Sequence, residues 1–197
     1  GGVAAAMDPA DSPALHSADT MRAGAGIVDP DIARMVTTEA RDHILTLTRL
    51  GTPFDRNASG DYVLSREAAH SLARVVRVQG DQAGAQIMRA LAAAIRATPS
   101  VQVAEGWVAT GLRTDGGRVA GIDLARSSGS ATVTVAAPAV LIAGGGAGGL
   151  YAVTTNPPRI RGEALGMAAR AGAVISDAEF VQFHPTGIYG AGCLITE

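Results

Sequence analysis

The chain has 197 residues and a formal net charge of −2, with 47% hydrophobic residues, 17% charged residues and 25 glycines. This balance is typical of an α/β enzyme and argues against a disordered or fibrous chain. The small net charge and the lack of Lys/Arg runs argue against nucleic acid and anionic membranes as partners. A single cysteine, Cys193, excludes an internal disulfide framework and predicts a reducing, cytoplasmic compartment. No apolar run approaches the roughly 20 residues that span a bilayer, so no membrane association is expected.

The first half of the chain contains two helical patterns. Residues 1–31 are rich in Gly, Ala, Asp and Pro, which predicts a long loop with one helical turn. Apolar residues recur at a period near 3.6 over 31–50 and again over 82–97, which predicts two amphipathic helices. The polar stretch between them carries two short β-like runs, at 62–64 and 75–78.

The second half begins with short β-prone runs separated by glycine-containing turns, which predicts an antiparallel meander. These runs lie at 101–103, 106–114, 119–126 and 131–135. The continuous apolar run 139–143, which ends in three glycines, is typical of a buried strand of a parallel sheet. A helix over 162–172 and a strand at 174–175 complete the predicted elements.

Glycines at two places could approach a ligand closely. Gly1 and Gly2 would admit a bulky planar or phosphorylated group, since no Cβ blocks the backbone. The run 144–149 could cradle a pyrophosphate, or it could be a tight turn packed against neighbouring backbone. Glu163, at the start of a predicted helix, could accept a hydrogen bond from a ribose hydroxyl or simply cap the helix. These alternatives stay open from local sequence.

Other polar groups give weaker signals. His184 lies between Phe183 and Pro185, where a histidine is either a structural hydrogen-bonding group or part of a site. The four histidines are widely spaced, which argues against a metal centre. No G-x-S-x-G motif supports a serine nucleophile.

Several motifs occur together in a fixed order. They are the segment 1–5 with Asp11, His16, Asp19 and 23–26; A-G-G-G at 143–146; T-T-N-P at 154–157; R-G-E-A at 161–164; F-V-Q-F-H-P-T at 180–186; and T-E at 196–197. Their order and spacing resemble the flavin-binding segment of the fumarate reductase, succinate dehydrogenase and L-aspartate oxidase flavoprotein family. The resemblance covers essentially the whole chain.

The resemblance implies an α/β fold, a three-layer Rossmann-like FAD-binding domain that lacks its first βαβ unit. This partial domain would span 1–177, with the meander inserted at 101–135, and a substrate-capping domain would begin at 178–197. The implied cofactor is FAD. We expect the chain to be an internal part of a larger flavoenzyme, and we expect this part to be inactive alone. The residues implied in FAD binding are Gly1, Gly2, Val3, Ala4, Ala5, Asp8, Ala143, Gly144, Gly145 and Glu163.

Within the family, the segment S-R-E-A-A-H-S at 65–71 resembles the L-aspartate oxidase branch. A substrate with an α-ammonium group favours a nearby carboxylate, so Glu67 is the residue expected to select aspartate over succinate. Four departures from the family pattern occur in these motifs: Ala68 and Ala69 replace the family's glycine pair, Glu163 its usual aspartate, Ala164 the glycine after it, and Gly144 a threonine.

The implied reaction is oxidation of L-aspartate to iminoaspartate by hydride transfer to flavin N5, the first step of de novo NAD biosynthesis. Oxygen or fumarate would be the electron acceptor. His184 and Thr196 would donate to the substrate carboxylates, and Glu197 would order the network around them. Two alternatives remain: a succinate dehydrogenase or fumarate reductase flavoprotein subunit, and a non-catalytic flavin-binding remnant.

Overall fold

The computed structural model describes residues 1–183, 187–188 and 190. The described residues fall into two compact units that divide between Gln102 and Val103. Each unit contains a three-stranded antiparallel sheet.

The sheet of the first unit is small and central to its core. Its strands are β1 (Val3–Ala4), β2 (Leu64–Ser65) and β3 (Val75–Val76), in the order β1-β3-β2. Val76 pairs with Val3 on one side and with Leu64 on the other. The β-like runs predicted at 62–64 and 75–78 therefore correspond to β2 and β3, although both strands are shorter than predicted.

Helix α1 (Pro13–Ala23) corrects the prediction of a long loop over residues 1–31. The Oγ of Ser12 accepts a hydrogen bond from the Leu15 N–H at 3.2 Å, and Pro13 occupies the first helical position. Serine before a helix and proline at its first position are both helix-start signals, since proline lacks only an N–H that would be unpaired there. Ser12 and Pro13 therefore begin a helix of three turns inside the region predicted as a loop.

The two predicted amphipathic helices are confirmed to within one residue at each end. They are α2 (Pro30–Arg49) and α3 (Ala83–Arg96). The start of α2 is fixed by Asp29, whose Oδ1 accepts from the N–H groups of Asp31 and Ile32 at 2.9 and 3.2 Å. A carboxylate in this position also interacts favourably with the helix dipole.

The core of the first unit lies between α2, α3 and the sheet. Its buried members are Ala5, Met7, Ile44, Phe54, Val76, Val78 and Ala83. Ile44 from α2 and Val76 from β3 have no exposed surface, so the core joins helix and sheet directly.

The second unit contains the predicted meander. Its strands are β4 (Trp107–Asp115), β5 (Arg118–Arg126) and β6 (Thr132–Ala136), paired in that order. The β4–β5 turn uses Gly116 and Gly117, both with positive φ (54° and 78°), as a tight hairpin requires. A 3₁₀ turn (Gly148–Leu150) and helix α4 (Glu163–Arg170) come after the meander.

Three predicted strands are not formed. Residues 101–103, 139–143 and 174–175 have no strand structure, and Leu141 and Val174 are 92% and 94% exposed. A strand requires a neighbour to pair its N–H and C=O groups, and no segment among the described residues pairs with these three. The prediction of a buried parallel strand at 139–143 is thus wrong for the described chain. The mixture of helices and sheets itself agrees with the α/β class.

In the part of the chain that the structure describes, no helix combines the length and hydropathy needed to cross a membrane.

Ile44→Ala tests the core of the first unit. Removing an enclosed isoleucine leaves a cavity, so we expect the free energy of unfolding to fall by about 2–4 kcal/mol. Urea denaturation of the full-length protein measures it. Ile32→Ala on the same helix is the matched control, because Ile32 is 52% exposed and its loss is expected to cost under about 1 kcal/mol. Similar losses for both variants would contradict this assignment of the core.

Candidate functional site

A buried arginine organises the polar part of the first unit. Arg74 precedes β3, and its side chain is completely enclosed. Its Nε and Nη2 donate to the two oxygens of Asp11 at 2.8 and 2.9 Å, and its Nη1 donates to Asp19 Oδ2 at 2.6 Å. The bidentate contact uses the planar geometry that arginine and carboxylate share. Arg74 therefore ties the sheet to Asp11 before α1 and to Asp19 within it.

Asp19 also anchors the loop between β2 and β3. Its Oδ2 accepts from both the backbone N–H and the Oγ of Ser71, each at 2.7 Å. Its other oxygen contacts Arg22, whose side chain is largely exposed. One carboxylate thus holds a loop backbone, a buried arginine and a surface arginine together.

The charges in this cluster are strongly coupled. The Ser71 N–H and hydroxyl, followed by Arg74, hold the pKa of Asp19 well below its usual value. Burial alone would raise the pKa of Asp11, but hydrogen bonds from Arg74 and the Ser12 N–H outweigh burial and lower it. The pKa of Arg74 is raised, chiefly by its hydrogen bond to Asp11. Both aspartates are therefore ionised at neutral pH.

The predicted specificity residue, Glu67, lies in this anchored loop. We call residues 66–71 the Glu67 loop. Glu67 is exposed, its carbonyl accepts from the His70 N–H at 3.2 Å, and Arg66 Nε donates to the His70 carbonyl at 2.9 Å. Ala69 has φ +73°, a conformation that costs a residue with a Cβ about 1–2 kcal/mol. The contacts on both sides hold the loop in this shape.

Two histidines pack beside the cluster. The rings of His16 and His70 meet edge to face, with centroids 5.6 Å apart. His16 is 7% exposed and its Nδ1 has no hydrogen-bond partner among the described residues. Burial, then the charge of Arg74 and the proximity of His70, lower the pKa of His16, although Asp11 and Asp19 act in the opposite direction. His16 is thus neutral at physiological pH.

The N-terminal residues predicted to bind FAD include strand β1, which pairs with β3, the strand that follows Arg74. Val3 and Ala4 form β1, Gly1 faces open space, and a Cβ on Gly2 would lie 2.3 Å from the Val76 carbonyl oxygen. Packing against β3 is therefore sufficient to require glycine at position 2.

The next two predicted residues have local partners. Ala5 is fully buried and its N–H donates to the Arg74 carbonyl at 2.9 Å. Asp8 is exposed, and its Oδ1 accepts from the Ala10 N–H at 2.7 Å.

In the second unit, the glycine run at 144–149 packs closely on the segment C-terminal to it. A Cβ on Gly144 would lie 2.4 Å from Ala164 Cβ, and one on Gly149 would lie 2.4 Å from the Pro158 carbonyl oxygen. Gly145 has φ +76° and Gly146 faces open space. Of the two interpretations that the sequence left open, packing against neighbouring backbone accounts for Gly144 and Gly149.

Helix α4 presents its N-terminus beside this run. Its N-cap, Gly162, has φ +79° and supplies no side-chain hydrogen bond. Glu163 is exposed and accepts from the Arg161 N–H at 3.2 Å. Ala143 is also exposed, at the start of the glycine turn. The predicted residues Ala143, Gly144, Gly145 and Glu163 therefore share one region of the second unit.

The other three predicted residues, His184, Thr196 and Glu197, lie outside the described residues. Among the described ones, no group of His, Cys, Asp and Glu has the arrangement of a metal site.

Comparison with known proteins decides the family. The family described as FAD binding domain matches residues 1–197.

The chain belongs to the FAD-binding domain family.

Individual relatives support the same family. It is 56% identical over 189 residues to an L-aspartate oxidase of Caulobacter vibrioides, covering 95% of this chain and 37% of the relative. An L-aspartate oxidase of Agrobacterium fabrum is 46% identical, with 95% and 36% covered. The chain thus spans about a third of the length of these relatives.

Solved structures give the same fold. The E. coli quinol fumarate reductase chain FrdA has a TM-score of 0.95 at 29% identity, covering all of this chain and 33% of that one. Mycobacterium smegmatis Sdh1 in complex with UQ1 has a TM-score of 0.90 at 32% identity, covering 95% and 33%. The predicted FAD-binding fold and cofactor class are confirmed at the level of the family.

The start of α4 offers backbone donors of the kind that bind phosphate. The backbone N–H groups that begin α4 receive no side-chain cap from Gly162, and free N–H groups at a helix N-terminus bind phosphate well. No atom lies within 4 Å of the position that a Cβ on Gly146 would take. The donor set and the space therefore suit a phosphate-bearing cofactor.

Sequence reasoning missed Arg74 as the organiser of the first unit. The available signal was an arginine directly before the apolar pair Val75 and Val76, at the edge of a predicted strand. A charged residue in such a position is enclosed only when acidic partners satisfy it, which would have pointed to the aspartates before it in the chain.

Arg74→Met tests the ionic cluster. It removes the cation and leaves Asp11 and Asp19 enclosed, so we expect the free energy of unfolding to fall by about 3 kcal/mol or more. Urea denaturation of the full-length protein is the measurement. Arg34→Met is the control, because Arg34 and Asp31 pair at 2.7 Å but are 69% and 81% exposed, and the expected change is within about 0.5 kcal/mol. Equal effects would refute a special role for Arg74.

His16 predicts a dependence of stability on pH. Its folded-state pKa is lowered, so below about pH 6.5 the unfolded chain takes up a proton that the folded chain does not. Stability should therefore fall as pH drops below about 6.5, with a slope from this group of up to about 1.4 kcal/mol per pH unit. Asp11 and Asp19 stay ionised in this range and lose their stabilising effect only below about pH 4.

The measurement is urea denaturation of the full-length protein at pH 7.5 and pH 5.5, for wild type, His16→Gln and His43→Gln. His16→Gln should show a smaller loss between the two pH values than wild type. His43→Gln is the matched control, because it removes an exposed histidine of α2 and leaves the buried cluster unchanged. The same loss in all three proteins would count against His16.

Proposed function

We propose that the chain is the flavin-binding portion of an L-aspartate oxidase, which oxidises L-aspartate to iminoaspartate. The observation that carries the proposal is Glu67, an exposed carboxylate on a loop fixed by Asp19. The α-ammonium group is what distinguishes aspartate from succinate, and a fixed carboxylate is a suitable partner for it. The similarity to two L-aspartate oxidases supports the same choice.

In this proposal the protein's residues bind and orient the substrate. Glu67 receives the α-ammonium group, while His184 and Thr196 donate hydrogen bonds to the two carboxylates and Glu197 orders their surroundings. Fixing both ends of a short dicarboxylate leaves its α-carbon in one orientation, which lowers the entropic part of the barrier. His184, Thr196 and Glu197 would belong to a substrate-capping domain that begins at residue 178.

FAD is the proposed cofactor, and when bound its flavin accepts the hydride from the substrate α-carbon. The region around α4 would hold a phosphate-bearing part of the cofactor, with Glu163 near a ribose hydroxyl. The N-terminal segment would lie along the cofactor through its backbone. The proposed contact residues remain Gly1, Gly2, Val3, Ala4, Ala5, Asp8, Ala143, Gly144, Gly145 and Glu163.

Oxygen or fumarate is the proposed electron acceptor, and the compartment is proposed to be cytoplasmic. A second candidate is a succinate dehydrogenase or fumarate reductase flavoprotein, which the likeness to FrdA and Sdh1 supports. Glu67 argues against this candidate, because a carboxylate gains nothing from a substrate that lacks the ammonium group and repels its carboxylates.

Glu67→Gln separates the two candidates. In the full-length enzyme loaded with FAD, we expect kcat/KM for L-aspartate to fall about 10–100-fold, since one charge-assisted contact is lost. Activity with succinate or fumarate should not fall. Glu39→Gln, exposed on α2, is the control and should leave both activities unchanged. An unaltered preference for aspartate in Glu67→Gln would remove Glu67 from this role.

A further inference from the structure

The Glu67 loop carries a second side chain of fixed chemistry, His70. Arg74 Nη1 lies 3.1 Å from His70 Nδ1. A guanidinium has only donors, so Nδ1 must be the acceptor, and the ring proton is on Nε2. Arg74 thus selects one tautomer of His70.

Arg74 cannot easily adjust to a different tautomer. Its other nitrogens are held by both oxygens of Asp11, and Nη1 also donates to Asp19. A proton on His70 Nδ1 would face the Nη1–H group at hydrogen-bond distance. Moving the ring proton to Nδ1 would therefore leave a buried donor of Arg74 without an acceptor. The free-energy cost would be that of an unpaired buried polar group.

The position of the ring is fixed from the backbone as well. Arg66 Nε holds the His70 carbonyl, and Asp19 holds the adjacent Ser71 through its N–H and Oγ. His16 packs edge to face against the ring. Among the described residues, none is hydrogen bonded to His70 Nε2, and the side chain is only partly buried. The loop therefore presents one oriented N–H donor that has no partner among the described residues.

We propose that His70 is a substrate-binding residue whose Nε2–H donates to a carboxylate of the substrate, and that Arg74 is the positioning residue that fixes this donor. The proposal rests on the proposed function. Glu67 and His70 belong to the same turn, closed by the hydrogen bond from the His70 N–H to the Glu67 carbonyl. One turn thus carries an acceptor suited to an ammonium group and a donor suited to a carboxylate, the two charged groups that every α-amino acid carries on one carbon.

The test uses two variants that separate the ends of the imidazole. In His70→Asn the amide oxygen can take the place of Nδ1 and accept from Arg74, but the distal donor is lost. In His70→Gln the amide nitrogen reaches the position of Nε2 and restores a donor. Kinetics of the full-length, FAD-loaded enzyme with L-aspartate, together with the shift in Tm that succinate produces, are measured for both.

We expect His70→Asn to raise KM for L-aspartate about tenfold or more, with kcat changed by less than about threefold, and to reduce the Tm shift. His70→Gln should stay within about threefold of wild type in KM. His43→Asn, exposed on α2, should match wild type. A residue with a purely structural role would lower Tm without this separation of KM from kcat and without rescue by glutamine.

Two results would overturn the proposal: a wild-type KM in His70→Asn, or a KM in His70→Gln as high as in His70→Asn. If His70→Asn fails to fold, His70→Gln alone decides, since loss of aspartate binding in a folded His70→Gln refutes the donor role. Failure of the proposed function is distinct, because the wild-type enzyme would then not oxidise L-aspartate at all. The shift in Tm with succinate would still report whether His70 contacts a dicarboxylate.

Discussion

The enclosed guanidinium of Arg74 is the constraint on which the first unit depends. It has no exposed surface, and it is stable there only because Asp11 and Asp19 supply two negative charges in good hydrogen-bond geometry. These three residues come from the segment before α1, from α1 and from the strand edge of β3. Their contacts therefore fix α1 against the sheet. The small β1-β3-β2 sheet buries too little apolar surface to hold α1 without them.

The same cluster links folding to the candidate site. Asp19 holds Ser71 and Arg74 orients His70, and both of these residues belong to the Glu67 loop. Ala69 keeps a positive φ within this loop, where a glycine would be unstrained, and such strain persists only when the surrounding contacts determine the backbone. A loop held this tightly presents its charged groups with little loss of entropy when a small ligand binds.

The sequence predicted the periodic elements well because periodicity is a local property. In helices α2 and α3 and in the meander strands, the apolar pattern that predicts the element lies within the element's own residues. Helix α1 was missed because Ser12 and Pro13 signal both a turn and a helix start, and the choice between them depends on the residues C-terminal to Pro13. The strand at 139–143 was wrong for a different reason: its pattern is apolar, but a strand exists only with a partner, and none of the described segments supplies one.

The candidate site divides in the same way. Glu67 could be singled out from sequence because the residues around it form a contiguous motif, and the glycine run 144–149 because composition marks it; the roles assigned to both stay predictions. Arg74 was not found, since its importance comes from Asp11 and Asp19, which are 63 and 55 residues away in sequence. The tautomer of His70 is even harder to predict from the sequence, because it depends on which ring nitrogen faces the guanidinium of Arg74. Residue types can indicate that a turn is polar, but only the three-dimensional contacts determine which of its atoms is a donor, and recognition of a carboxylate depends on that.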